Sequence, residues 1–144
     1  MKKRQRGVAI VEFALILPFL LVLTFITTEF GRAIWQYNTL TKSVRDSARY
    51  LSIQTPEDPL AIAKARNLTI YGNLTGTGTP LAAGLTTSNV PSPTWQTAGS
   101  GPVIKTVTVR ITNYTFDSMF VSVFGLPFGA VTFSDISATM RSYL

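Results

Sequence analysis

The feature that most constrains the fold is an apolar run from Val8 to Thr28. It holds one ionisable residue, Glu12, in 21 positions. At about 1.5 Å per residue, a helix of this length extends roughly 32 Å, which matches the hydrocarbon thickness of a bilayer. The run therefore predicts a membrane-spanning helix.

Glu12 is the anomaly of this run, because it lies just inside its start. A carboxylate at the centre of a membrane helix costs about 2.5–3.5 kcal/mol, and somewhat less near an end. An ionisable group in such a position is functional by default and needs a partner. We therefore expect Glu12 to have a functional contact.

Basic residues dominate the N-terminus, and they are followed by Gly7 with no acid among them: Lys2, Lys3, Arg4 and Arg6. They account for most of the formal charge of +6, since from Val8 onward nine Lys or Arg face seven Asp or Glu. A basic segment directly before an apolar span predicts a cytoplasmic N-terminus and an extracytoplasmic C-terminal part. It also argues against nucleic acid as a partner.

A cleaved secretory signal has the same order of basic and apolar regions. The length of the run, the early Glu12 and the lack of a small-x-small site near its end count against this alternative. The chain contains neither cysteine nor histidine, so disulfides, thiol or Ser-His catalysis and the commonest metal ligand are excluded. We expect no metal, no cofactor and no enzymatic activity.

Pro18 predicts a kink within the span, because it leaves the carbonyl of Ala14 without its helical donor. The helical pattern continues beyond the membrane to about Ser52, which gives a helix of some 45 residues. Its apolar residues recur at spacings of three and four. They are Phe30, Ile34, Tyr37, Leu40, Val44, Ala48 and Leu51.

A second helix is predicted from about Pro56 to Tyr71, capped by Thr55 and stopped by Gly72. Residues 72–102 are rich in Gly, Thr, Ser and Pro, which predicts a long irregular or β-containing loop. Such a loop is often a binding surface or mobile. Its Trp95 has two equally weighted interpretations, a plug of the domain core or a contact for a partner.

Alternating apolar residues predict a strand over Val103–Phe116, and residues 130–140 resume strand character. Between them lie a second apolar segment, residues 119–124, and a turn at residues 125–129. The predicted fold is α+β: the long helix packs on a small antiparallel sheet, a hairpin or three strands, with a second short helix. Residues 29–144 would form the extracytoplasmic domain.

Several motifs together resemble the TadE-like family, the minor pilins or pseudopilins of the bacterial tight-adherence (Tad) pilus. Gly7 is followed five residues later by Glu12-Phe13. The rest of the apolar run comes next, and it is followed by Glu-Phe-Gly-Arg-Ala at residues 29–33. The resemblance continues through residues 44–50, and the ending at residues 137–141 is similar as well.

The resemblance implies that a prepilin peptidase cuts after Gly7, which removes residues 1–7 and leaves Val8 as the N-terminus. Glu12 and Phe13 would then form an assembly contact, with Glu12 paired to the new amine of a neighbouring Val8. It also implies a pilin-like fold in the bacterial inner membrane and, after processing, in the pilus. Other Tad pilins and the assembly platform would be partners, with roles in surface adhesion and biofilm formation.

Two alternatives remain open beside this interpretation. The chain could be an uncleaved, bitopic envelope protein that binds a ligand through the loop at residues 72–102. It could also be a type II secretion pseudopilin, which genomic context rather than sequence would identify.

Overall fold

The computed structural model describes residues 5–119, 122–123, 126–127 and 130–143. The chain divides into two compact units. Unit 1 comprises Met1–Ile34 and Ser118–Gly129, and unit 2 comprises Trp35–Asp117 and Ala130–Leu144. The predicted α+β class is confirmed: a long apolar helix, a second short helix and a small antiparallel sheet are all present.

Helix α1 extends from Gln5 to Leu51 without interruption and includes Pro18. In its apolar part, threonine hydroxyls donate to carbonyls one turn earlier, so these hydroxyls are hydrogen-bonded within the helix. The donors are Thr24, Thr27 and Thr28, each at 2.8 Å from its acceptor. The predicted helix is confirmed to within one residue at its C-terminal end, and the kink at Pro18 stays a prediction.

Helix α2 extends from Pro59 to Tyr71, so its predicted start at Pro56 was wrong. Glu57 has a left-handed φ of 62°, which prevents the helix from beginning there. The N-cap is Asp58, whose Oδ1 accepts the N–H of Leu60 at 3.0 Å. The predicted stop is confirmed, because Gly72 has φ 72° and its N–H donates to the carbonyl of Leu68.

Three antiparallel strands form the main sheet: β1 at Thr94–Ala98, β2 at Ile104–Ile111 and β7 at Ile136–Arg141. Their order in the sheet is β1-β2-β7. The predicted strand Val103–Phe116 was too long, because Asn113 adopts a left-handed φ of 52° and ends the regular pairing.

A short 3-10 helix lies at Thr87–Asn89, and four short strands form two further pairs. In unit 2, β3 at Thr115–Phe116 pairs with β6 at Val131–Thr132, so the strand predicted over residues 130–140 is two strands, β6 and β7. In unit 1, β4 at Ser122–Val123 lies in the predicted apolar segment and pairs with β5 at Leu126–Pro127, which lies in the stretch predicted as a turn.

The core of unit 2 lies between α1, α2, the sheet and the loop at residues 72–102. Ser47 Oγ on α1 donates to the carbonyl of Ala65 on α2, and Thr69 Oγ1 lies 2.7 Å from Ser47 Oγ. The loop is part of this core, since Leu85 and Val90 are fully buried. Trp95 packs against the same cluster while remaining half-buried, which agrees with the core interpretation of that residue.

The stripe predicted on α1 is confirmed for its C-terminal half and wrong for its start. Leu40, Val44, Ala48 and Leu51 are fully buried, whereas Phe30 and Ile34 are exposed. The buried face instead continues through two polar residues, Glu29 and Gln36. An apolar pattern cannot locate a buried face whose members are polar.

Candidate membrane and assembly site

The N-terminal half of α1 presents apolar side chains outward. Within the described residues, it lies in the one helix long and apolar enough to cross a membrane, and none of its most apolar window is buried. Val8 and Phe13 are each 59% exposed, and Phe19 is 77% exposed. A core helix of a soluble domain would hide such side chains, so the exposure suggests membrane anchoring.

Glu12 has an exposed side chain on this apolar segment, and the described residues offer it no ion pair. The α-helical rise places it about 6 Å along the axis from Val8. Phe13 follows it, likewise exposed. The chain itself therefore provides no partner for this carboxylate among its described side chains, and a second molecule has free access to it.

The predicted processing site, Gly7 and Val8, lies in the first turns of α1 and is exposed. A Cβ added to Gly7 would meet nothing within 4 Å. Internal packing therefore does not require glycine there. Lys2, Lys3 and Arg4 of the predicted basic segment lie outside the described residues, and Arg6 lies in the first turn of α1.

Glu29 is a buried carboxylate to which the sequence analysis assigned no role of its own. It is 5% exposed, and its Oε1 lies 2.6 Å from Nη1 of Arg32. Its Oε2 accepts the backbone N–H of Met119 at 3.4 Å. The Glu-x-x-Arg spacing at the exit of the apolar run was the signal that could have identified this pair.

A shallow pocket in unit 2 is the other candidate site. It is lined by Pro56, Trp95, Gln96, Thr97 and Lys105. The indole N–H of Trp95 is buried and has no hydrogen-bond acceptor in the described part of the chain. A ligand can stack on the ring of Trp95 beside the cation of Lys105 and the amide of Gln96, and such a combination is typical of a ligand-binding pocket.

No group of three or more acidic, histidine or cysteine side chains in the described residues could hold a metal ion. The described residues thus provide two features. One is the N-terminal half of α1, which has exposed apolar side chains and the carboxylate of Glu12, and the other is the packed unit 2.

Comparison with known proteins gives one finding. Residues 7–49 match the family model described as TadE-like protein, which confirms the resemblance over most of α1. The ending at residues 137–141 lies outside the matched range. No curated protein and no solved structure matches the chain.

Proposed function

We propose that this chain, whose residues 7–49 form a TadE-like segment, is a minor pilin or pseudopilin of a Tad pilus. The observation that carries the proposal is α1 itself. Its N-terminal half exposes apolar side chains with a single carboxylate near the start, and its C-terminal half is packed into a domain. A subunit built this way can be stored in a membrane and then packed helix against helix in a fibre. The family match implies other pilus components as partners.

Processing is the first part of the proposal. A prepilin peptidase on the cytoplasmic side cuts between Gly7 and Val8, within an exposed stretch. The cut removes Lys2, Lys3, Arg4 and Arg6, and these four charges hold the precursor to the anionic cytoplasmic leaflet. Extraction of the shortened chain from the inner membrane into the pilus is easier as a result. The mature subunit comprises a span at residues 8–28 and an extracytoplasmic domain at residues 29–144.

Assembly is the second part. Cleavage creates a positive α-amino group on Val8, and Glu12 of a neighbouring subunit neutralises it inside the apolar layer of the fibre. A buried charge without a partner is strongly destabilising, whereas a buried pair compensates both charges. The exposed Phe13 beside Glu12 supplies apolar contact. We expect Pro18 to kink the span, because it removes one backbone hydrogen bond of the helix. Adhesion and biofilm formation follow from incorporation of the subunit into pili.

The test of this function measures entry of the subunit into pili. We expect Glu12→Gln to remove most of the protein from the sheared pilus fraction while the membrane fraction retains it, because the substitution keeps the size and removes the charge. Glu57→Gln is the matched control, since Glu57 is an exposed carboxylate outside the span. Normal levels of the Glu12→Gln protein in pili would contradict the pairing.

A second candidate is an uncleaved envelope protein that binds a ligand. The pocket lined by Trp95, Gln96 and Lys105 favours it. Under this hypothesis Trp95→Phe removes ligand binding and leaves pili unaffected. A type II secretion pseudopilin would use α1 in the same way as the first proposal, and its operon distinguishes it.

A further inference from the structure

Strand β1, Thr94–Ala98, has an open edge. It lies at the end of the main sheet, and within the described strands it pairs only with β2. Proteins usually guard such an edge with charged residues, proline or a β-bulge, because its unpaired backbone groups recruit other strands. Strand β1 contains no charged residue and no proline, and it stays in register with β2 over all five of its residues. Its edge is therefore unguarded and available to another strand.

The backbone groups at this edge belong to Trp95 and Thr97. The N–H of Ser142 donates to the carbonyl of Lys105, which lies directly opposite it when the register of β2 and β7 is extended by one pair. Residues of a central antiparallel strand bond alternately to its two neighbours, so the even-numbered residues of β2 bond to β1. Their partners in β1 are even-numbered too. Trp95 and Thr97 therefore direct their N–H and C=O groups away from β2.

The pocket in unit 2 lies beside the same edge. The side chains of Trp95 and Thr97 share one face of the sheet, and Lys105, directly opposite Thr97, shares that face as well. These three residues line the pocket together with Pro56 and Gln96. In a strand added to the edge, the residues opposite Trp95 and Thr97 would point to the same face. Such a strand would therefore place alternate side chains at the pocket.

The charge at the pocket indicates which side chain fits there. Among the described residues that line the pocket, only Lys105 carries a charge. It is exposed and has no ion pair with any described side chain. An added strand would lie two strand spacings from β2, or roughly 10 Å, and the long side chains of lysine and glutamate together reach across Thr97. The complement of Lys105 is therefore a carboxylate on the added strand.

We propose that β1 and the pocket beside it bind an extended, acidic segment of another protein by β-strand addition. The main chain of the segment pairs with Trp95 and Thr97, which supplies affinity. A glutamate of the segment meets Lys105, which selects the partner. The inference concerns unit 2 alone and goes beyond the proposed function, because it adds a peptide partner and depends neither on cleavage after Gly7 nor on Glu12.

The test measures binding of defined peptides to the full chain in detergent micelles. The Glu peptide is fluorescein-labelled Thr-Val-Thr-Glu-Thr-Val-Thr, whose Glu and Val side chains share one face of a strand. The Lys peptide carries Lys in place of Glu. The N-methyl peptide is the Glu peptide with methyl groups on the backbone nitrogens of Val and Glu, which removes the donors on one side of the strand. Fluorescence anisotropy gives Kd, and hydrogen exchange followed by mass spectrometry reports the β1 amides.

Thr97→Pro tests the strand pairing, because an edge strand tolerates proline where the N–H faces away from the sheet. We expect the Glu peptide to bind the parent and to slow exchange of the β1 amides. It should bind Thr97→Pro about tenfold more weakly or worse, since a main-chain hydrogen bond is lost. Thr97→Val keeps the N–H and is the matched control. Unchanged thermal unfolding of Thr97→Pro checks the sheet, and the N-methyl peptide tests the same pairing from the other partner.

Lys105→Glu tests the charge. Exposed ion pairs are weak, so the Glu peptide should bind the parent up to about fivefold more tightly than the Lys peptide does. In Lys105→Glu the order of the two affinities should reverse. Lys64→Glu is the matched control, because Lys64 is an exposed lysine of α2 outside the residues that line the pocket. It should keep the order seen with the parent.

The inference is overturned if the parent binds none of the peptides, or if the N-methyl peptide binds as tightly as the Glu peptide. Equal affinities of the Glu peptide for Thr97→Pro and the parent would also overturn it, as would an unreversed order in Lys105→Glu. Slower exchange of the β1 amides with rising chain concentration, without peptide, would identify a second copy of the chain as the occupant and contradict the inference. Each of these results leaves the proposed function standing, since its test is entry of the subunit into pili.

Discussion

The hydroxyl of Tyr114 joins two parts of unit 2 and offers a quantitative test of the packing. Tyr114 is 2% exposed, and its hydroxyl donates to the carbonyl of Ala83 at 2.7 Å. The same hydroxyl accepts a hydrogen bond from Nε2 of Gln36, which is 8% exposed. One oxygen atom therefore connects α1 with the loop at residues 72–102.

Tyr114→Phe keeps the ring and removes both hydrogen bonds. A buried polar group that loses its hydrogen-bond partner costs about 1–3 kcal/mol. In Tyr114→Phe, the carbonyl of Ala83 and the amide of Gln36 each lose such a partner. We therefore expect the free energy of unfolding to fall by about 2 kcal/mol. For a unit of roughly 100 residues this lowers Tm by about 8–16 °C. The assay is thermal unfolding of the full chain in detergent, followed by tryptophan fluorescence.

Tyr143→Phe is the matched control, because Tyr143 is 72% exposed, and its loss of one hydroxyl should change Tm little. A double-mutant cycle with Gln36→Met isolates the contact between Gln36 and Tyr114, because substitutions at two hydrogen-bonded residues change the free energy of unfolding non-additively. The reasoning would be refuted if the free energy of unfolding of the Tyr114→Phe protein lay within about 0.5 kcal/mol of the parent's.

Three further predictions concern single sites. Leu51→Ala removes a fully buried side chain and should destabilise the same unit by about 2–5 kcal/mol, as denaturant titration measures. Gly76→Ala should also destabilise unit 2, by about 1–3 kcal/mol. Gly76 has φ 71°, and an added Cβ would lie 2.7 Å from Cγ of Asn67. An unchanged midpoint in the denaturant titration would contradict this prediction. Gly7→Ala should leave the thermal unfolding unchanged, since a Cβ there meets nothing within 4 Å, while cells accumulate the unprocessed form on immunoblots.

Local periodicity predicted much of the fold. The apolar run, the continuation of α1 to the end of its buried stripe and the alternation of Val107, Val109 and Ile111 are all repeated patterns, and the structure confirms them. The start of α2 was harder, because the sequence offers two cap-plus-proline pairs, Thr55-Pro56 and Asp58-Pro59. Only the left-handed turn at Glu57 selects the second.

Contacts between distant residues could not be predicted. Glu29 and Gln36 lie on the buried face of α1 because each meets a partner far along the chain, Met119 and Tyr114 respectively. Leu85 and Val90 complete the core from a loop whose composition indicates only irregular structure. Of the candidate site, Glu12 was predictable because its anomaly is local, whereas the burial of Glu29 was not.

The most direct test of the account is the N-terminal mass of the protein extracted from membranes of cells with and without the prepilin peptidase. The account predicts a chain that begins at Val8 in cells with the peptidase and an intact N-terminus in cells without it. An intact Met1 in both strains, or a start beyond residue 28, would contradict the proposal that this chain is a processed pilin.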